Sequence, residues 1–294
     1  MNDASTITFA LNGHWYGHYG LAYCPAHANT RTPALSLRNG TDGRLLAKCH
    51  AGCDFPTIKG ALCALGMMEG GGAFVAPDPS RAIRHRAEEK ALAAKRAAQA
   101  QRVWAEAIPI QGSLCNNYAR ARGITCALPD TLRFHAECWH ASGKRFPAMV
   151  ALVEGSEGFA VHRTYLRSDG SGKAEVTPNK AMLGAVAGGA VRLTDGAGPL
   201  VVAEGIETAL SLASGLLRAP AAIWAALSTS GMRSLILPKE PGRLTIATDG
   251  DAAGQVAGNS LATRATALGW RVSILAAPVG SDWNDLLMAM GAAA

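Results

Sequence analysis

Two sets of side chains in this 294-residue sequence have the types and spacing of metal ligands. The first is Cys24-Pro-Ala-His27, followed 21 residues later by Cys49-His50-Ala-Gly-Cys53. Thiolates and imidazoles in two pairs are the donor set of Zn2+, which takes four ligands in a tetrahedron. Cys24, His27, Cys49 and Cys53 fill all four places and leave none for water, so the expected ion is structural. The Cys-x3-Cys spacing is one residue longer than the common one. His50 is a second candidate, but its position beside Cys49 makes joint chelation awkward. The second set is acidic. Glu204 ends the run "PLVVAE", Asp249 and Asp251 end "RLTIATDGD", and Asp282 and Asp285 lie in "GSDWNDLL". Oxygen-only donors suit a hard cation, Mg2+ or Mn2+. By itself Asp-Gly-Asp is equally a plain turn or half of a calcium loop. The EF-hand pattern fails, because Ala253 stands at its fifth position and Ser260 at its twelfth.

The elements that must carry these residues are legible as patterns. The 21 residues before Cys49 read as two short strands around the turn "NGTDG", a hairpin holding the two ligand pairs together. "FPTIKGALCALGMM" follows as a short helix. "EGGGAFVAPDPS" reads as a linker. "RAIRHRAEEKALAAKRAAQAQRVWAEA" is a long, mostly exposed basic helix. Short strands run from about Leu128 to Leu193: "TLRFHA", "FPAMVALVEG", "GFAVHRTYLR" and "GAVRLT". The pattern then becomes strand "PLVVAEG", amphipathic helix "IETALSLASGLL", strand "AAIWAAL", short helix or turn "GMRSLILP", strand "RLTIATDGD", helix "AAGQVAGNSLATRATALG" and strand "WRVSILAAP". Buried strands alternating with helices imply an α/β domain with a parallel sheet covered on both faces. In such sheets ligands bind beyond the carboxyl ends of the strands, which is where Glu204, Asp249, Asp251 and Asp282 fall. Asp285 and Glu207 fit first helical turns, where an acid serves as a cap. The domains are expected at 1–68, 81–195 and 196–294, with a linker at 69–80.

Composition narrows the classes. The formal net charge is +6, but residues 196–294 carry six Lys/Arg against seven Asp/Glu, leaving 22 basic and 15 acidic residues before them. A basic front of this kind either tracks a polyanion or is a solvated surface. The longest apolar runs are far shorter than the roughly 20 residues of a membrane helix, and the N-terminus has no secretory pattern, so a cytoplasmic protein with no membrane partner is expected. Cys63, Cys115, Cys126 and Cys138 read as small buried apolar residues. "RSDGSGKAE" departs from a P-loop, with Arg167 at the first glycine place and Ala174 at the Ser/Thr place. GxSxG and HExxH are absent.

"VVAEGIETALS" followed by "IATDGDAAGQ" resembles the Toprim domain of DnaG-type primases, topoisomerases and some nucleases. "CPAH…RTPALSL…CHAGCD" ahead of it is similar to the zinc-ribbon domain of such primases. Together, in this order, they resemble the small zinc-ribbon/Toprim primases of phages, plasmids and integrated elements. The resemblance implies a ribbon at 1–68 that binds single-stranded DNA, an α+β front half of the primase core at 81–195, and a Toprim catalytic domain at 196–294. It implies that Glu204 is an acid/base or metal-linked residue, that Asp249 and Asp251 bind Mg2+ or Mn2+, and that Asp282 is the later acidic motif. "GKRFPAMVAL" implicates Lys144 and Arg145 in the template and nucleotide path. "VHRTYLRSDGSGKAEVTPNKAMLG" implicates His162, Arg163 and Lys180 in phosphate contacts. The implied reaction joins ribonucleotides into a primer, with the 3′-hydroxyl attacking the α-phosphate of an incoming NTP, and without a P-loop a helicase would act in trans. A Toprim nuclease, or a zinc-ribbon DNA adaptor without catalysis, are the alternatives. The intact acidic set speaks against the adaptor. A topoisomerase needs a nucleophilic tyrosine, and the five tyrosines all lie in the first 165 residues without a recognisable context.

Overall fold

The structure, a computed structural model, describes residues 3–28, 33–40, 43–68 and 79–292. It divides into two compact units, Met1–Ala91 and Leu92–Ala294.

The first unit is a small antiparallel sheet with two helices. Helix α1 (Ala4–Ala10) starts where the Asp3 carboxylate accepts the Thr6 amide at 2.9 Å. Strands β1 (His14–Trp15), β2 (Gly20–Ala22), β3 (Leu35–Asn39) and β4 (Leu45–Cys49) pair in that order, all antiparallel. β3 and β4 are the hairpin expected around the turn, with Leu35 opposite Cys49 and Asn39 opposite Leu45. Helix α2 (Phe55–Ala64) is capped by Asp54, which accepts the Thr57 amide, and has proline in its first turn. Ile7, Leu35, Leu37, Ile58 and Leu62 form the core, with Cys24 and Cys49 among them. Most of the expected linker, residues 69–78, lies outside the described residues. Pro79 and Ser80 already belong to helix α3 (Pro79–Glu106), which is exposed over much of its length. Near its end, Ala100 is fully buried and Val103 and Trp104 are partly so, packed on Val150 and Val161.

The second unit holds two sheets. β5 (Ile108–Pro109), β6 (Leu132–Trp139), β7 (Arg145–Val153), β8 (Ala160–Tyr165) and β9 (Lys180–Leu183) pair in sequence order and antiparallel. Helix α4 (Leu114–Ala121), capped by Ser113, precedes β6. The second sheet has the order β10 (Val191–Asp195), β12 (Ala222–Ala225), β11 (Leu200–Ala203), β13 (Arg243–Thr248), β14 (Arg271–Ala276). β11, β12, β13 and β14 are parallel, and β10 is an antiparallel edge. The connections are α5 (Ile206–Ser211), which runs into a π-turn at Leu212–Leu216, α6 (Thr229–Ser234) and α7 (Ala252–Ala267). α8 (Trp283–Ala292) closes the domain. This is the expected mixed α+β region followed by a Rossmann-like parallel sheet. Helix α5 differs from its expected amphipathic character. Every residue from Ile206 to Ser211 is buried, because α5 lies between the parallel sheet and α8. Asn284 is also fully buried, and its amide donates to the Arg122 carbonyl and Ser211 Oγ, fastening α8 in place.

The order of the parallel sheet fixes where a ligand can sit. The chain leaves β11 toward β12 on one side, then returns past it to β13 on the other. Adjacent strands whose connections diverge open a crevice at their carboxyl ends. Ala203 pairs with Ala247, so the residues just beyond these strands share one level. Close packing of α7 keeps this end rigid. A Cβ on Gly258 would overlap Thr248 Cγ2 and come within 3.5 Å of Ile246 Cγ2. Gly258→Val is therefore expected to cost about 1–3 kcal/mol, seen as a lower urea midpoint with an unchanged slope. A midpoint equal to wild type contradicts that packing.

Candidate functional site

In the first unit, Cys24 follows β2, Cys49 ends β4, and His27 and Cys53 lie in the adjoining loops. One donor atom from each of Cys24, His27, Cys49 and Cys53 lies within 4.8 Å of all the others. His27 Nδ1 is 3.1 Å from Cys53 Sγ and 3.8 Å from Cys49 Sγ. Burial pushes the Cys24 thiol up to about 11, with the neighbouring sulfurs of Cys49 and Cys53 adding to the shift. Three sulfurs and one imidazole nitrogen crowded this closely fit a tetrahedral Zn2+, which would hold them as thiolates. This is a Cys3His zinc-binding site. His50 is not part of it. Its Nε2 lies 2.6 Å from Ser36 Oγ across the hairpin.

In the second unit, Glu204 follows β11 and Asp249 follows β13 in the crevice. Asp251 caps α7, with its Oδ1 accepting the Gly254 amide at 2.6 Å. Asp282 caps α8 through the amides of Asn284 and Asp285, both at 2.8 Å, and its own amide donates to Asp285 Oδ2. Asp285 sits in the first helical turn as expected and accepts the amide of the capping residue, Asp282. Gly250 ties the two acidic loops together. Its amide donates to the Ser281 carbonyl, its carbonyl accepts the Gly280 amide, and a Cβ there would overlap the Pro278 carbonyl. Only glycine lets the Asp-Gly-Asp turn approach the Asp282 loop this closely.

These acids feel one another. Burial, then the charges of Asp249 and Asp251, raise the Glu204 carboxyl to about 7. Burial, then the Asp282 charge, also raise Asp249, against a hydrogen bond from Thr208 Oγ1 at 3.3 Å. Oxygen donors that resist ionising together fit a divalent cation. Among the described residues the zinc set is the one group of three or more such ligands drawn within 4.8 Å, so the acids form an open cluster. Mg2+ suits an open cluster, because it keeps several waters and takes one or two carboxylates.

Beside them Glu207 and Lys180 meet two residues the sequence did not single out, Lys173 and Tyr118. Glu207, in the first turn of α5, is 5% exposed. Its oxygens meet Lys173 Nζ and Lys180 Nζ, each at 3.0 Å, and Tyr118 Oη donates to Oε1 at 2.8 Å. Burial opposes the Glu207 charge, but Lys180 and Lys173 outweigh it and hold the carboxyl well below its ordinary range. Glu207 lies in the first helical turn as expected, but it acts there as a buried ionic clamp and not as a cap. Lys173 belongs to "RSDGSGKAE", whose failure as a P-loop hid it. Lys180 also favours the charged forms of Glu204 and Asp249.

The other basic candidates separate. His162 lies on the same side as Glu207, but burial holds its pKa down at about 4, so it is neutral near pH 7. Its neighbour Arg163 takes the opposite face of β8, as strand alternation requires. There, Arg163 and Arg145 line a separate cavity under the end of α3. Lys144 is exposed in the β6–β7 turn. Lys180 alone of the five basic candidates bonds within the acidic cluster's surroundings.

Residues 199–293 match the Toprim domain family, and residues 94–193 match a domain of unknown function (DUF7146). No curated protein matches the chain. Among solved structures, the zinc-binding and RNA polymerase domains of Aquifex aeolicus primase are similar at 15% identity and a TM-score of 0.42, over 98% of this chain and 79% of that one. The RNA polymerase domain of Mycobacterium tuberculosis primase DnaG is similar at 16% identity and a TM-score of 0.41, over 69% and 81%. A DNA primase domain from Pseudomonas aeruginosa is similar at 20% identity and a TM-score of 0.30, over 60% and 56%.

An acid whose folded pKa exceeds its unfolded value holds its proton more tightly when folded. Glu204 therefore favours folding below its ordinary value of 4.5, and that contribution is lost as pH rises through about 7. Without divalent cations, Asp249→Asn is expected to raise the thermal midpoint by about 2–4 °C at pH 8 and by less at pH 5. A variant that melts lower than wild type at pH 8, or gains equally at both pH values, contradicts the mutual repulsion.

Proposed function

We propose, starting from a C-terminal Toprim domain and a separate Cys3His zinc site, that this chain is a DNA primase that joins ribonucleotides on a single-stranded template. The observation that carries this reading is the juxtaposition of an acidic crevice with a clamped pair of lysines. Glu204, Asp249, Asp251 and Asp282 present negative charge that calls for a cation. Lys173 and Lys180, held beside them by Glu207, present positive charge suited to phosphate oxygens. A metal-bound nucleoside triphosphate carries both, the cation for the acids and the phosphate oxygens for the lysines.

In this reading Asp249, Asp251 and Glu204 hold the divalent ion, and Asp282 adds to the field at Asp249. Bound Mg2+ or Mn2+ would supply charge neutralisation at the α-phosphate and orient the attacking 3′-hydroxyl. Lys180 and Lys173 bind the triphosphate as point charges and offset the charge that builds on it during transfer. Glu207, itself held by Tyr118, keeps the two lysines beside the crevice. Glu204, where it is not a ligand of the ion, can take the proton that the attacking hydroxyl loses. The Cys3His unit gives a rigid hairpin for the template strand. Lys144 remains a candidate template contact from its exposed turn. Arg145 and Arg163 belong to a different surface, and His162 acts by packing rather than charge.

Incubation with single-stranded DNA, NTPs and Mg2+ or Mn2+ is expected to yield short RNA primers, and Asp249→Ala is expected to reduce them at least about 100-fold. Absence of primers over a range of templates, or a wild-type yield from Asp249→Ala, overturns the reading. Metal-dependent nicking of DNA without NTPs would identify a nuclease instead.

A further inference from the structure

The second unit has a further cavity that this chemistry does not use. It has a volume of about 420 Å3 and opens on the side of the antiparallel sheet covered by the end of α3. Three arginines reach it from three elements: Arg102 from α3, Arg145 from β7 and Arg163 from β8. Gln99, Glu106, His135, Glu137 and Trp139 supply the rest of its polar and aromatic wall.

The arginines are only partly accounted for by the protein. Arg163 is 6% exposed, and its Nη1 donates to the Trp139 carbonyl at 3.2 Å, yet its buried Nε has no partner among the described residues. An unmet donor on a buried guanidinium is costly unless an acceptor arrives. Glu106 is engaged by His135 at 3.2 Å. Arg145 Nη1 donates to a carbonyl, that of Glu137, and so keeps its charge unneutralised by that bond. A strand irregularity between His135 and Cys138 re-aims this end of β6. Trp139 leaves it 54% exposed at the cavity wall, with no aromatic partner among the described residues.

We propose that this cavity binds a nucleoside phosphate at a site distinct from the acidic crevice. The phosphate sits among Arg102, Arg145 and Arg163, whose planar forks match its oxygens. The base stacks on Trp139. The volume lies in the range of small-ligand sites. The ligand is either a free nucleotide or one unit of a single strand, since both carry the same phosphate and base.

Calorimetric titration of the whole 294-residue, zinc-bound chain separates these sources. The probes are ATP, inorganic phosphate and an oligothymidylate of about ten residues, used without divalent cation. Wild type, Asp249→Ala, Trp139→Ala and the double variant Arg102→Glu/Arg145→Glu are compared. Both arginines are exposed, so the double variant should fold. The expected result is binding that Asp249→Ala retains and that the arginine variant weakens at least about tenfold. Trp139→Ala should weaken ATP or oligothymidylate but leave inorganic phosphate unchanged. Binding of ATP without oligothymidylate assigns free nucleotide; preference for oligothymidylate assigns the strand. No binding, equal binding by wild type and the arginine variant, or loss in Asp249→Ala overturns the proposal. Because Asp249→Ala tests priming separately, a failure here leaves the primase reading standing, and the reverse also holds.

Discussion

A carboxylate taken almost wholly out of water must be paired, and Glu207 is paired twice. Removing charges from water costs several kcal/mol per ion, and only close, well-aligned partners offset it. The partners come from far along the chain. Tyr118 is 89 residues away on α4, and Lys180 is 27 residues away on β9. The clamp therefore ties the antiparallel half of the unit to the first turn of α5, directly after Glu204. Any arrangement that left Glu207 unpaired would strand a buried charge, so the two sheets are held in one relation and the lysines face the crevice.

The rest of the crevice is built to match. The divergence of the connections at β11 and β13 puts Glu204 and Asp249 side by side, and Gly250 brings the Asp282 loop against them. Each contact brings like charges together. The raised acids show that the fold accepts this cost. Such locally unfavourable charge is stored where a ligand relieves it.

The zinc ligands were legible because thiol and imidazole pairs at short spacing have few other uses, and a hairpin is written in the turn between them. The acids were legible because a strand followed by an acid is a strand-end signature. The parallel strands appear close to where apolar runs predict them. Glu207 and Lys173 were not legible. A first-turn glutamate looks the same whether solvated or buried, and only the partners brought by tertiary packing decide between the two. The basic residues do not fall together for a simpler reason: His162 and Arg163 are adjacent in a strand, so they cannot share a face. The burial of α5 on all sides likewise comes from α8, which no local pattern announces.

The most direct test of the clamp is the dependence of primer synthesis on NTP concentration in Glu207→Gln, measured well below the variant's unfolding temperature. Gln keeps the shape and removes the charge, at a stability cost of about 2–3 kcal/mol given lysines that are partly exposed. If Glu207 holds Lys173 and Lys180 for the triphosphate, the KM for NTP rises at least about tenfold while the protein remains folded. A folded Glu207→Gln with the wild-type KM would contradict the account.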